Sequence, residues 1–137
     1  MTDKQNISDD EVAVRDLIEA WVDAVRRKDY DGILRSHAAD FVMFDVPPPF
    51  ESVGLDAYRK TWDLFFSCSG ELVRFEIQEM DVTAGADVAF AFATMRCTTR
   101  GSNGKPDPLD FRLTMCLRRI DGRWVITHEH HSVPATD

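Results

Sequence analysis

No Cys-x-x-Cys pair, glycine-rich phosphate loop, G-x-G-x-x-G run or His-Glu-x-x-His string occurs in the 137 residues. The usual markers of zinc-finger, nucleotide-loop and zincin chemistry are therefore missing, and no motif implies a cofactor. Cysteine is scarce: Cys68, Cys97 and Cys116 are odd in number, widely spaced and set in apolar segments, which reads as reduced core thiols rather than a disulfide framework. No apolar run approaches the roughly 20 residues that span a bilayer, and Met1 to Glu11 is polar and acidic, unlike a signal peptide. A cytoplasmic chain with no membrane partner is expected. Basic residues are the minority, 16 against 24 acidic ones for a formal charge of -8, and they form no stripe; nucleic acid is not an expected partner.

What is present suffices for one core. A hydrophobic content of 44% in 137 residues fits a single domain over residues 1–137, with 1–7 expected as a flexible N-terminal tail. Ser8-Asp9-Asp10-Glu11 forms a capping box, with Ile7 and Val12 as its hydrophobic staple. Val14, Leu17, Ile18, Trp21, Val22 and Val25 then recur with helical spacing. A second helix is expected from Asp29, turning Tyr30, Ile33, Leu34 and His37 to one side. A third is expected from Leu55 to Phe66, with Tyr58 and Trp62 inward. Between them Phe41 to Val46 reads as a strand stopped by Pro47-Pro48-Pro49.

After Gly70 the period changes to two, predicting strands near 71–83, 87–100, 109–120 and 123–133. A phase break in the first of these suggests a bulge near Gln78 or Glu79, and Asp121-Gly122 predicts a two-residue hairpin loop. The expected fold class is α+β: three N-terminal helices on a strongly curved antiparallel sheet, enclosing a cone.

Asp45 shares a strand face with Phe41 and Met43, so it is either a water-deprived acid in a pocket or a turn residue bonding backbone amides. Continuing the hairpin register without a break pairs Leu117 with Ile126, Met115 with His128, Leu113 with His130 and Phe111 with Ser132. That register places His128, His130 and Ser132 on the apolar face, and Glu129 and His131 on the opposite, solvated or interfacial one. Within His128-Glu129-His130-His131 only His128 and His130 then share a face, so no metal site is expected. Asp45 and His130 stand as the candidate catalytic pair. Trp21, His37, Tyr58, Trp62, His128 and Ser132 are candidate substrate contacts.

The segments Phe44 to Pro49, Gly54 to Trp62, and Asp121-Gly122-Arg123-Trp124 leading to His128 to Pro134 resemble the SnoaL-like, ketosteroid-isomerase-like branch of the nuclear-transport-factor-2-like superfamily. The resemblance spans nearly the whole chain. It implies a cone-shaped (cystatin-like) fold, a small-molecule pocket and a homodimer using the convex sheet face, where Arg112, Thr114, Cys116 and Arg118 are expected. The isomerase's general-base aspartate falls on Asp45, its oxyanion-hole tyrosine on Trp21, and its second donor near Thr114 to Cys116, where no acid occurs. The function expected is cofactor-free proton transfer on a small hydrophobic carbonyl compound. The alternative is a non-catalytic ligand-binding or association domain of the same fold.

Overall fold

A computed structural model describes residues 8–135; the expected tail at 1–7 and the Ile7 staple lie outside the described residues. Helix α1, Asp9–Arg26, begins on the capping box: Glu11 N–H donates to Ser8 Oγ at 3.1 Å, and Ser8 N–H to Glu11 Oε1 at 3.3 Å. Its apolar stripe buries Val14, Ile18, Trp21, Val22 and Val25. Helix α2, Tyr30–Leu34, is capped by Asp29, whose Oδ1 accepts Gly32 N–H at 3.2 Å.

The second helix was expected to reach His37, and it does not. The left-handed backbone of Ser36, φ 71°, turns the chain out after five helical residues, and His37 instead opens strand β1, His37–Phe44. A further strand is waiting for it: β1 lies parallel to β6, Arg123–Ser132, with His37 opposite Ile126 and Phe44 opposite His130. Pairing partners outside the local window override the helical pattern. The same ladder ends β1 at Phe44, so Asp45 lies one residue past the strand rather than within it.

The two-residue β2, Ser52–Val53, pairs antiparallel with β1. Gly54, at φ 89°, then leads into α3, Leu55–Cys68, which buries Tyr58 and Trp62. Strands β3, Glu71–Ala84, β4, Val88–Arg100, and β5, Pro106–Ile120, complete with β6 an antiparallel meander. The described residues thus form a six-stranded sheet in the order β2-β1-β6-β5-β4-β3, antiparallel except at β1/β6.

The expected bulge in β3 is found: Ile77 faces Met95 and Glu79 faces Thr94, leaving Gln78 between them. Asp121 and Gly122 both have positive φ, 51° and 79°, the type I′ geometry that matches strand twist. On β4 the alternation puts alanine inward and phenylalanine outward. Ala89, Ala91 and Ala93 join the core, while Phe90 and Phe92 stay 47% and 53% exposed on the convex face.

The decisive departure is in β6. Leu117 faces Ile126 as expected, but Cys116 then faces His128, so Thr127 is an extra, unpaired residue. One extra residue exchanges every face beyond it. Met115 therefore faces Glu129, Thr114 faces His130 and Leu113 faces His131. Glu129 and His131 join the concave side, and His128 and His130 move to the convex one.

Candidate functional site

Glu129 is fully buried, and three donors from three different elements converge on it. From the start of β1, His37 Nε2–H donates to Oε2 at 2.6 Å. From α3, the Tyr58 hydroxyl donates to the same oxygen at 2.8 Å. From its own strand, two residues on and on the same face, His131 Nε2–H donates to Oε1 at 2.8 Å. Trp21 of α1 extends the network by donating Nε1–H to the Tyr58 oxygen at 2.9 Å. The capped α1 holds Trp21, α3 holds Tyr58, and the parallel β1/β6 pair holds His37 beside Glu129.

Burial alone would raise the pKa of Glu129. The hydrogen bonds and positive charge of His131 and His37 outweigh it and hold the carboxyl down at about 2. For His131, burial opposes the charged form, but the hydrogen bond and charge of Glu129, with the charge of Asp45, raise the pKa above 6.5. Burial and the nearby Glu129 charge push Tyr58 well above its ordinary value, so it remains a neutral donor. Glu129 thus fixes which histidine nitrogen bears the proton and keeps His131 protonated to higher pH than a free histidine.

His131 is the member of this network turned toward the sheet end. Its Nδ1 lies 3.7 Å from Asp45 Oδ1, and its ring stacks on Phe111 at 5.6 Å between centroids. Asp45 follows Phe41 and Met43 in phase. It also accepts the Val46 N–H at 2.8 Å, so one carboxylate both makes the turn bond and lies beside His131. A surface cavity of about 570 Å³ opens beside it, lined by Phe44, Asp45, residues 46–50 and His130.

The expected site residues divide accordingly. Trp21, His37 and Tyr58 meet around Glu129, and Trp62 packs edge-on to Trp21 and Tyr58. Trp62 Nε1 and His37 Nδ1 are buried without a hydrogen-bond partner among the described residues. His128 and His130 do not line the apolar face, because the extra Thr127 turns both outward. His128 Nδ1–H donates to Val42 O at 2.8 Å, and both rings pack edge-on to Phe44. His130 nevertheless shares the surface cavity with Asp45. Ser132 does not face the interior either; it lies opposite Arg112 on β5 and accepts its Nε–H at 3.1 Å. Among the described residues no group of three or more His, Cys, Asp or Glu side chains is arranged to hold a metal ion.

Glu129 and His131 were assigned to the outer face, and one residue in the sequence argues otherwise. Val133 packs against the core. It is in phase with 131 and 129 but out of phase with the inward Trp124 and Ile126, so a bulge must intervene.

Comparison with known proteins accords with this architecture. The SnoaL-like domain profile matches residues 14–136. The chain belongs to the SnoaL-like domain family. An NTF2-like protein of unknown function from Pseudomonas putida KT2440 is 35% identical to this SnoaL-like chain, with a TM-score of 0.80 over 90% of this chain and 86% of that one. A ketosteroid isomerase-like protein from Erwinia carotovora atroseptica SCRI1043 shares the fold at 21% identity and TM-score 0.76, over 92% of this chain and 97% of that one. So does the association domain of C. elegans CaMKII, at 20% identity and TM-score 0.73, over 92% and 100%. No curated protein sequence matches. In the segment where the isomerase resemblance puts its second donor, the inward residue of this SnoaL-like domain is Met115, opposite Glu129. The donors that converge here come instead from His37, Tyr58 and His131.

Proposed function

We propose that this SnoaL-like domain is a cofactor-free enzyme that moves a proton next to the carbonyl of a small hydrophobic compound, with Asp45 as base and His131 as its electrophilic partner. The observation that carries the reading is the line Glu129–His131–Asp45, in which a buried carboxylate holds an imidazole of raised pKa whose free nitrogen lies 3.7 Å from a second carboxylate. Asp45 takes the proton from the carbon beside the carbonyl. The released electron pair moves into an enolate, and His131 Nδ1–H hydrogen-bonds to the developing oxyanion. The proton then returns from Asp45 to carbon, at the same or a conjugated position, and no other reactant is consumed. Glu129, Tyr58 and His37 are positioning residues that act through His131.

The test is solvent deuterium exchange by NMR across a panel of ketosteroids, polyketide-like ketones and small enolisable acids. Wild type should accelerate exchange for at least one class, and Asp45→Asn and His131→Gln should each lower that rate by about a hundredfold or more. Asp45→Asn keeps an oxygen to accept Val46 N–H, so its stability should stay within about 1 kcal/mol of wild type. Exchange unaffected by either substitution excludes this reading.

A second reading, a domain whose role is association through a homodimer, has one observation of its own. The convex face carries Phe90, Cys116 and His128 across three strands in one row, and Phe92, Thr114, His130 and Phe44 across four in the next. Three of these residues are exposed phenylalanines.

A further inference from the structure

We propose that residues 46–51, the segment joining β1 to β2, form a strap latched to the sheet by the contact between Asp45 and His131, and that the latch opens when His131 loses its proton. The latch governs access to these two side chains and does not depend on the chemistry assigned to them above.

Little else holds the strap. All six of its residues are exposed, and Pro47, Pro48 and Pro49 have no N–H to give. Among the described residues, its one hydrogen bond outside the ladder that starts at Ser52 is Val46 N–H to Asp45 Oδ1, which leads back to the latch. Residues 46–50 border the cavity of about 570 Å³, so part of their inner side meets space rather than packed side chains. A segment with few buried apolar contacts and no ladder bonds opens at low free-energy cost. Its ends, by contrast, are firm. Phe44 is paired with His130 of β6, and the buried Ser52 with Met43 of β1. The strap therefore swings between two fixed points, with Asp45 beside one of them.

The latch depends on one proton. His131 Nδ1 lies 3.7 Å from Asp45 Oδ1, and the two side chains are 10% and 24% exposed, so solvent screens the contact only in part. The titratable groups facing His131 are Glu129 on its own strand and Asp45 beyond the end of β1. From α1 it meets Trp21, and from β5 Phe111 and Leu113, none of them charged. Protonated, His131 is a cation between two carboxylates, and both attract it. Neutral, it keeps its remaining proton on Nε2, where Glu129 accepts it at 2.8 Å. Nδ1 then turns a lone pair toward Asp45, acceptor against acceptor, and the attraction becomes repulsion. Burial opposes the charged form, but Glu129 and then Asp45 raise the His131 pKa above 6.5. The latch is therefore closed below pH 6.5 and opens as pH rises through the folded value. A ligand acceptor that takes the Nδ1–H breaks the same contact, so release accompanies binding as well as deprotonation.

Carbon-13 relaxation of the ligand-free, full-length protein tests this, because carbon-bound sites do not exchange with water as amides do at high pH. Backbone Cα order parameters of residues 46–51 should fall from about 0.85 at about pH 5.5 to below about 0.6 at about pH 9. The midpoint of the fall should match the titration of the His131 ring. Asp45→Asn offers an oxygen to the protonated ring and an NH₂ to the neutral one, so its strap should stay ordered at both pH values while the His131 midpoint moves down. Asp45→Ala offers neither and should leave the strap loose at both. Asp45 lies outside the core, so both variants should keep the fold, which the unchanged spectrum of the core methyl groups would verify. Order parameters that stay high in wild type at both pH values, or a fall that persists in Asp45→Asn, overturn the latch. Solvent deuterium exchange decides the proton-transfer reading separately, whichever way the strap behaves.

Discussion

Glu129 bears a negative charge out of reach of water, a situation that is costly unless donors replace the lost hydration. His37, Tyr58 and His131 supply three such donors, so the carboxylate is both a stability element and the part that sets the state of His131. Glutamine in its place keeps the size but presents an NH₂ where an oxygen accepted hydrogen bonds, leaving at least one donor facing another. Glu129→Gln should lose about 3–5 kcal/mol of stability in urea unfolding near pH 6; a loss below about 1 kcal/mol would show that the network is not what holds these elements together. The pH dependence follows from the direction of each shift. The folded pKa of Glu129, about 2, lies below its ordinary 4.5, so its contribution is complete above pH 4.5 and is lost as pH falls toward 2. His131 is raised above 6.5, so its contribution is complete below 6.5 and is lost as pH rises through the folded value. Stability from this cluster is therefore greatest between about pH 4.5 and 6.5. Denaturation midpoints across pH 2 to 9 should show both limbs in wild type, and the acid limb should shrink in Glu129→Gln.

At the scale of elements, the extra Thr127 in β6 decides which residues face the concave side, and it carries a counterintuitive test. Deleting a residue from a central strand ordinarily inverts every side chain beyond it. Here removal of Thr127 converts the bulge against β5 to a regular ladder: Ile126 stays inward, His128 outward, and Glu129 and His131 inward. The loss against β5 is the Thr127 Oγ1–H bond to Cys116 O, 3.2 Å, worth about 0.5–1.5 kcal/mol. Deleting Val125, which pairs regularly with Arg118, turns the fully buried Ile126 to solvent and should abolish cooperative thermal unfolding. Equal damage from both deletions would contradict the register described here. The same bulge explains what was legible in the sequence. The capping box, the α1 stripe, the Gln78 bulge and the Asp121-Gly122 turn are local signals, written within a few residues of where they act. The run Thr127 to Ser132 contains no apolar residue to mark its phase, so unbroken alternation chose the wrong histidines. His37 was misplaced for a related reason: its strand exists because β6 pairs with it from 89 residues away, and a helical window cannot register that. The inward placement of Trp21 and Tyr58, and of Asp45 beside His131, was legible because each stands in phase with the apolar residues of its own segment.

For the whole molecule, the burial pattern leaves a question about the convex face. No helix among the described residues is long and apolar enough to cross a membrane, yet Phe90, Phe92 and Phe44 remain exposed on one side of the sheet. Their rows run from β4 through β5 and β6, and the Phe92 row continues to Phe44 on β1. Alanine occupies the inward positions 89, 91 and 93 of β4 while Phe90 and Phe92 point outward, so over this stretch the large side chains lie outside the core, an arrangement that favours a second copy packed sheet to sheet. Each copy carries a formal -8, and two such chains repel one another. A dimer through this face would therefore be held by the apolar rows, with added salt screening the repulsion and strengthening it. Light scattering at micromolar concentration should give twice the 15.6 kDa chain mass, with the dimer fraction rising between about 0.05 and 0.5 M salt as the Debye length shortens from about 14 to about 4 Å. Phe90→Asp with Phe92→Asp places two like charges opposite their own copies and should yield a monomer. The folded core should persist, because both positions face away from it, and an unchanged near-ultraviolet dichroism spectrum would verify that. A monomeric mass for wild type across this range, or a dimer that dissociates as salt is added, would exclude assembly through this face.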